Sequence, residues 1–479
     1  MRTIAEAVQR PGRDASQSVI KGQTGGITQE LCEKAVSITY DNLPAPVIAG
    51  ARQLFLDGLA VAVAGVEEKA IRLLAEHYRA YGARPEATAL GLGFRTAAPC
   101  AAALNGAAMH VLDFEPMWSP ANHALSTTLP AVLALAESRQ TCGQEILTAL
   151  VKGIEIQGWL REAGHAAALS GEIFHLPGVV GPLGSAVASG HILGLDARAL
   201  AHAIGIASSR AGSLFANAGT MTKCTHCGHA AQSGMEAAML AAHGFTANPD
   251  AIEAPTGFAT AFLGRDFEAQ KLLDFGSSFR TVEPGFALKM FPSQYGTHFA
   301  ITAGLDLSKE LSDHEQIRRI RLTTPVMPYV NRPFPGNGLA AKFSFQYTFC
   351  RALVDGRVTI DSFSDRRVAD PVIQGLLAKV HLTMDPEIPG RFEAMHVEAA
   401  VELANGRVLT ARCKGPRGAW GAIPVSREEH LDKVHDCLSR RLSDAMVDRC
   451  VALALEIDCL KGSEVAELLE IAGQFEFAV

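Results

Sequence analysis

The stretch APVIAGARQLFLDGLAVAVAG, residues 45–65, repeats its apolar side chains at intervals of three and four. That spacing lines them along one side of a helix with 3.6 residues per turn. The same texture continues downstream, in AAPCAAALNGAAMHVLDF (97–114), ALSTTLPAVLALAES (124–138) and CGQEILTALVKGIEIQGWLREAG (142–164). It persists through GPLGSAVASGHILGLD (181–196), ARALAHAIGIASSRAGSL (197–214) and HAAQSGMEAAMLAAHGF (229–245). Several of these segments carry small residues on more than one face, which suits helices buried among other helices. Residues 28–283 therefore predict an all-helical domain.

Near residue 284 the pattern changes. QIRRIRLTT (316–324) alternates like a half-buried strand, and HVEAAVELANGRVLTARCK (396–414) reads as a hairpin turning on the pair Asn405-Gly406. KFSFQYTFCRALVDG (342–356) and VADPVIQGLLAKV (368–380) read as helices between strands. From residue 424 amphipathic helices return, in SREEHLDKVHDCLSRRL, DAMVDRCVALALEI and SEVAELLEIAG. The expectation is a mainly α protein in which an α+β module, residues 284–423, is inserted into a helical domain of residues 28–283 and 424–479.

Composition narrows the function. The 479 residues are 48% hydrophobic and carry a net charge of -7, so no electrostatic footprint for nucleic acid exists. No run of eighteen apolar residues passes without a polar interruption; QLFLDGLAVAVAG comes nearest and contains Asp57. Residues 1–27 are rich in Arg, Ser and Gly and read as a disordered tail rather than a signal peptide. Ten scattered cysteines form no disulfide framework, which suits a reduced, cytoplasmic protein.

TMTKCTHCGH, residues 220–229, concentrates reactive side chains. A structural zinc site needs a second Cys or His pair, and no second Cys-x-x-Cys exists. Cys224 and Cys227 therefore read as small buried residues, and no metal is expected. Lys223 differs, because it stands at the start of a helix, where free backbone N–H groups already favour an anion. The arrangement recurs. His123 follows Pro120 at a helix start, His175 precedes Pro177, and Lys289 and His298 flank another helix start. His110 and Asp113 fall three residues apart, on one helical face. Convergence of these groups predicts a cationic pocket for a carboxylate-rich ligand, with Lys and His exchanging protons beside a carboxylate. No GxGxxG after a strand, P-loop or nucleophile elbow is present, so no nucleotide or organic cofactor is expected.

Together LNGAAMHVLDF, PANHALST, FHLPGVVGPLGSA, AGTMTK, ALKMFP and KFSFQYTFCRALVDG resemble the MmgE/PrpD family, in order, over roughly residues 28–460. That family includes 2-methylcitrate dehydratases, cis-aconitate decarboxylases and iminodisuccinate epimerases. The resemblance implies a homodimer whose active site lies between a large helical domain and a smaller α+β lid. It also implies catalysis on di- or tricarboxylic acids without metal or cofactor. Carried over by position, the pocket residues are Asp113, His123, His175, Lys223, Lys289 and Tyr347, the last resting on the resemblance alone. The expected catalytic set is Lys223, His175, His123, Asp113 and Tyr347, with Lys289, His110, Gln294, His298 and Met117 binding substrate. Gln294 and Met117 depart from the decarboxylase branch, which has a histidine and a small hydroxyl residue there. Dehydration of a hydroxy-polycarboxylate is the leading expectation and epimerisation of a dicarboxylate the next. Cis-aconitate decarboxylation follows, and a non-catalytic carboxylate-binding dimer comes last.

Overall fold

The computed structural model describes residues 26–164, 173–264, 266–311, 316–420 and 422–474. The expected tail falls, but for its last two residues, outside them. Helices α1 (Ile27–Ser37), α2 (Ala45–Gly65) and α3 (Lys69–Arg79) lead to a two-stranded ribbon, β1 (Ala87–Ala89) with β2 (Phe94–Thr96). Among the described residues the larger core continues through α4 (Ala98–Val111), α5 (Ala124–Arg139), α6 (Gly143–Ala163), α7 (Pro177–Leu193), α8 (Ala197–Ser208) and α9 (Thr222–Ala242). Helix α9 lies against α7, α4, α8 and α5, so its first turn is surrounded by the ends of its neighbours.

Small residues set how closely these helices approach. A Cβ on Gly228 of α9 would lie 2.0 Å from the carbonyl oxygen of Ala103 in α4, and one on Gly106 would lie 2.8 Å from the Cα of Gly228. Only glycine allows that crossing. It draws the start of α9 onto the end of α4, and so Lys223 onto His110.

Helix α2 is long and apolar enough to cross a membrane, by length and composition. In the structure 72% of its most apolar window is buried inside the protein. Its Asp57 is fully buried and accepts a 2.7 Å hydrogen bond from Lys433, with His430 Nε2 3.1 Å away. Both partners belong to a helix near the end of the chain, Arg427–Leu438, which begins in a Ser426/Glu429 capping box. With Asp444–Leu455 and Gly462–Ala472 it returns to the helical body. One apolar core accordingly draws on residues 27–275 and 434–472.

The second core draws on residues 287–413 and on Met117. Its sheet has the order β6-β5-β7-β8, from β5 (Ile317–Thr324), β6 (Val380–Met384), β7 (Val397–Leu403) and β8 (Val408–Cys413). Strand β5 runs parallel to β6 and antiparallel to β7. Alternate residues of β7 are buried, as its period-2 pattern requires. Helices α10 (Thr297–Ser308) and α11 (Phe345–Asp355) pack on each other, and α10 covers β7 and β8. The hairpin turn differs from the two-residue expectation. Leu403 N–H bonds Arg407 O at 2.9 Å, leaving three loop residues, Ala404–Gly406, with Gly406 at φ 82°. A left-handed glycine closing a three-residue loop is a common alternative to the tight turn.

A short ribbon joins the two bodies. In it β3 (Met117–Trp118) pairs antiparallel with β4 (Phe286–Ala287). The ribbon brings the residues after Asp113 alongside those before Lys289.

Candidate active site

At this seam lies a cavity of about 470 Å³. Asp113, His123, His175 and Lys223 line it from the helical side, and Gln294 and Tyr329 from the other. Helices α5, α7 and α9 all begin at its wall: His123 is the N-cap of α5, Pro177 the first residue of α7, and Lys223 the second of α9. Three positive helix ends around one cavity favour an anion.

Asp113 follows the end of α4 with φ 52°, a left-handed conformation that costs a non-glycine residue about 1–2 kcal/mol. The sequence expectation put His110 and Asp113 on one helical face. Instead the helix stops at Val111, and the turn back aims the carboxylate at two lysines. Its Oδ2 accepts from Lys223 Nζ at 3.0 Å and its Oδ1 from Lys289 Nζ, which also bonds the Asp113 carbonyl at 2.6 Å. Burial works to raise this carboxyl, but the two ammonium groups outweigh it and hold the pKa well below the usual range. Lys289 is pushed downward by burial, with Asp113 opposing.

Behind them sits a network with a member missing from the expected set. Glu115 is fully buried, and its Oε1 lies 2.5 Å from His110 Nδ1, 3.0 Å from Ser126 Oγ and 3.0 Å from His123 Nδ1. Lys223 Nζ lies 2.7 Å from His110 Nε2. Since the ammonium can only donate, that nitrogen is the acceptor and Nδ1–H donates to Glu115. Burial first, then the charge of Lys223, lowers the His110 pKa to about 3. His175 Nδ1 is 3.2 Å from His226 Nδ1. Burial and Lys223 hold His175 well below its ordinary value and bring His226 to about 4. All three rings are neutral at pH 7.

Three imidazoles, His110, His123 and His175, each offer a nitrogen within 4.8 Å of the others, a spacing a metal ion could use. The donor set argues otherwise. His110 has both nitrogens engaged, and the Lys223 ammonium would face any cation placed there. Cys224 and Cys227 are buried on α9 and stand outside this group; burial raises the Cys224 thiol to about 12 and pushes Cys227 well above the usual thiol range. Neither is a thiolate at neutral pH.

Several expected positions fall behind the wall. His110 and Lys289 support Lys223 and Asp113 without lining the cavity. His298 is buried between Phe291 and Tyr295, with Nε2 3.3 Å from the Ser293 carbonyl. Tyr347, expected to be catalytic, is buried in the second core; its hydroxyl donates to the Ser362 carbonyl and its ring packs near Phe363. That hydroxyl is spent inside the domain. Tyr329 stands on the wall in its place, its oxygen accepting from Gln294 Nε2 at 2.9 Å, which leaves its own proton free for a ligand. Met117 lines the cavity from β3, and Phe343 lies 5.4 Å from Lys223 Nζ across its ring face.

Residues 29–270 match the MmgE/PrpD N-terminal domain, and residues 291–457 match the MmgE/PrpD C-terminal domain. The chain belongs to the MmgE/PrpD family. Within the family it is similar to the cis-aconitate decarboxylase of Mus musculus, 32% identical over 92% of both chains. The Homo sapiens cis-aconitate decarboxylase is likewise 32% identical, over 92% of this chain and 94% of its own. That of Aspergillus terreus is 25% identical over 95% and 97%. Family and relatives support a lyase. The C-terminal family domain crosses the structural seam, because its helix 427–438 packs into the first core. Glu115, His226 and Tyr329 were absent from the expected set. Their signal was local only for Glu115, a carboxylate two residues beyond Asp113; the other two are placed by contacts across the fold.

Proposed function

We propose that this MmgE/PrpD lyase removes water from a hydroxy-di- or tricarboxylic acid, without metal or organic cofactor. The observation that carries the reading is the neutral His175 beside Lys223, in a cavity met by three helix starts. A polycarboxylate places one carboxylate against Lys223 and another at the helix N-termini of α5 and α7. With its Nδ1–H donated to His226, His175 has a lone pair on Nε2 and takes the proton from the carbon next to a carboxylate. Negative charge develops on that carboxylate, where Lys223 stabilises it. Tyr329 gives its proton to the departing β-hydroxyl, water leaves and the carbon–carbon double bond forms. The proton on His175 then returns through the cavity to Tyr329. Asp113 and Glu115 hold Lys223 and His110 in place throughout.

The relatives favour a second reading, loss of CO2 from an unsaturated tricarboxylate followed by protonation of the carbanion. That step needs the same charge stabilisation but no base, so the neutral His175 favours elimination. One experiment separates them. The protein is incubated in D2O with hydroxy-, unsaturated and amino-polycarboxylates and followed by NMR. Elimination predicts an unsaturated product from a hydroxy acid with no CO2 released. CO2 from the unsaturated acid alone sinks the dehydration reading, and deuterium exchange without net conversion indicates an epimerase.

A further inference from the structure

A second cavity, of about 710 Å³, adjoins the first and shares Ala121, Tyr329 and Phe392 with it. Arg161 of α6 lines it and is 3% exposed. Its Nε has no hydrogen-bond partner, and no acid among the described residues is paired with it. A buried cation without a counter-charge is costly and is rarely kept for packing alone. Burial, the sole cause, lowers its pKa to about 10, so it remains charged at neutral pH. Arg280 lines the same cavity but is occupied: it bonds the Ser119 carbonyl at 3.0 Å, pairs with Glu162 at 3.3 Å and lies over Trp159. Glu162 is thereby neutralised. Arg391 and Glu393, both exposed, offset each other at the outer wall. The net charge left facing the space is that of Arg161.

We propose that this second cavity is a binding station for a small di- or tricarboxylate, held by Arg161 next to the catalytic cavity. The assignment rests on the polycarboxylate reading above for the class of ligand. The guanidinium matches a carboxylate with two parallel N–H donors, and the shared wall sets the station directly beside the catalytic cavity. Ligand supplies the counter-charge that the fold omits.

Titration calorimetry of the full chain with citrate tests this, with inorganic phosphate as the competing anion. The expected isotherm has two citrate sites per chain for the native protein and one for Arg161→Gln. Lys223→Ala removes the other site and keeps Arg161's. Arg161→Lys retains the charge without the fork and binds citrate roughly tenfold more weakly, the loss of one charge-assisted hydrogen bond. Without ligand, Arg161→Gln melts no lower than the native protein, because it removes an unpaired buried charge; its citrate-dependent rise in Tm is reduced. An unchanged isotherm in Arg161→Gln overturns the proposal, and phosphate displacing citrate from that site with equal affinity overturns the polycarboxylate assignment. If no polycarboxylate is turned over, the proposed reaction fails, while the titration still reports on Arg161.

Discussion

Lys223 is the residue on which the catalytic reading turns, since it touches His110, Asp113 and the cavity. Lys223→Ala should lower kcat by roughly 10²–10⁴, the range for losing one general acid–base or charge-stabilising group. Cys224→Ala and Cys227→Ala should leave the rate nearly unchanged and lower stability slightly. Steady-state kinetics on folded single variants decides, and a dead cysteine variant beside an active lysine variant reverses the assignment. The buried histidines make a separate prediction about pH. His110 and His226 have folded pKa values of about 3 and 4, and His175 lies well below 6.5, whereas unfolded rings protonate near 6.5. As pH falls below 6.5 the unfolded chain binds more protons than the folded one. Stability is therefore full above about 6.5 and declines toward pH 4, by up to about 1.4 kcal/mol per pH unit for each ring. Urea unfolding at pH 7.5 and 5 should show the loss, and His226→Asn should make the slope shallower.

At the scale of elements, two contacts hold the site's geometry. The α4–α9 crossing at Gly106 and Gly228 fixes Lys223 against His110. Gly228→Ala pushes a methyl into the Ala103 carbonyl and should cost about 1–3 kcal/mol or more, as overpacking does. It should also lower activity beyond the stability loss, because the two helices must separate. The second contact is Lys433, whose ammonium bonds Asp57 at 2.7 Å, the Phe114 carbonyl at 3.0 Å and the Lys289 carbonyl at 2.9 Å. One buried charge thus pins the backbone beside Asp113 to the backbone of Lys289. Lys433→Met leaves the buried Asp57 with His430 as its one remaining partner named above, and removing one member of a buried charge pair usually costs about 3–5 kcal/mol. Chemical denaturation of the variant measures it; a midpoint equal to that of the native protein refutes the role.

For the whole molecule, the cavity lies where two separately cored bodies meet, and Gln294 and Tyr329 reach it from the smaller one. We expect the segment 284–423 to act as a lid that closes over a bound polycarboxylate, excluding water from the carbanion. Crystal structures with and without the ligand should differ in the angle between the bodies; identical angles refute the gating. Activity should also survive prolonged EDTA treatment, since Lys223 occupies the face that a cation on the three histidines would need. Loss of about one metal per chain together with activity would overturn this.

The sequence by itself determined what is local. Apolar spacing marks the helices, alternation marks β5 and β7, and the start-of-helix positions of His123, His175 and Lys223 point to an anion pocket. Those signals survive in one dimension because periodicity and capping act over a few residues. Tertiary structure alone decided which groups face the ligand. The sequence around Lys289 and His298 reads like the other helix starts, yet Lys289 stands just after β4, where the β3–β4 ribbon places it beneath Asp113, and aromatic neighbours enclose His298 at the start of α10. Tyr347 and Tyr329 are eighteen positions apart in similar company, and only the packing of α11 into its own core turns one inward and leaves the other on the wall. Arg161 carries no motif at all. Among the described residues, those distant in the chain bury it without supplying an acid, a property of packing in three dimensions that spacing along a chain cannot express.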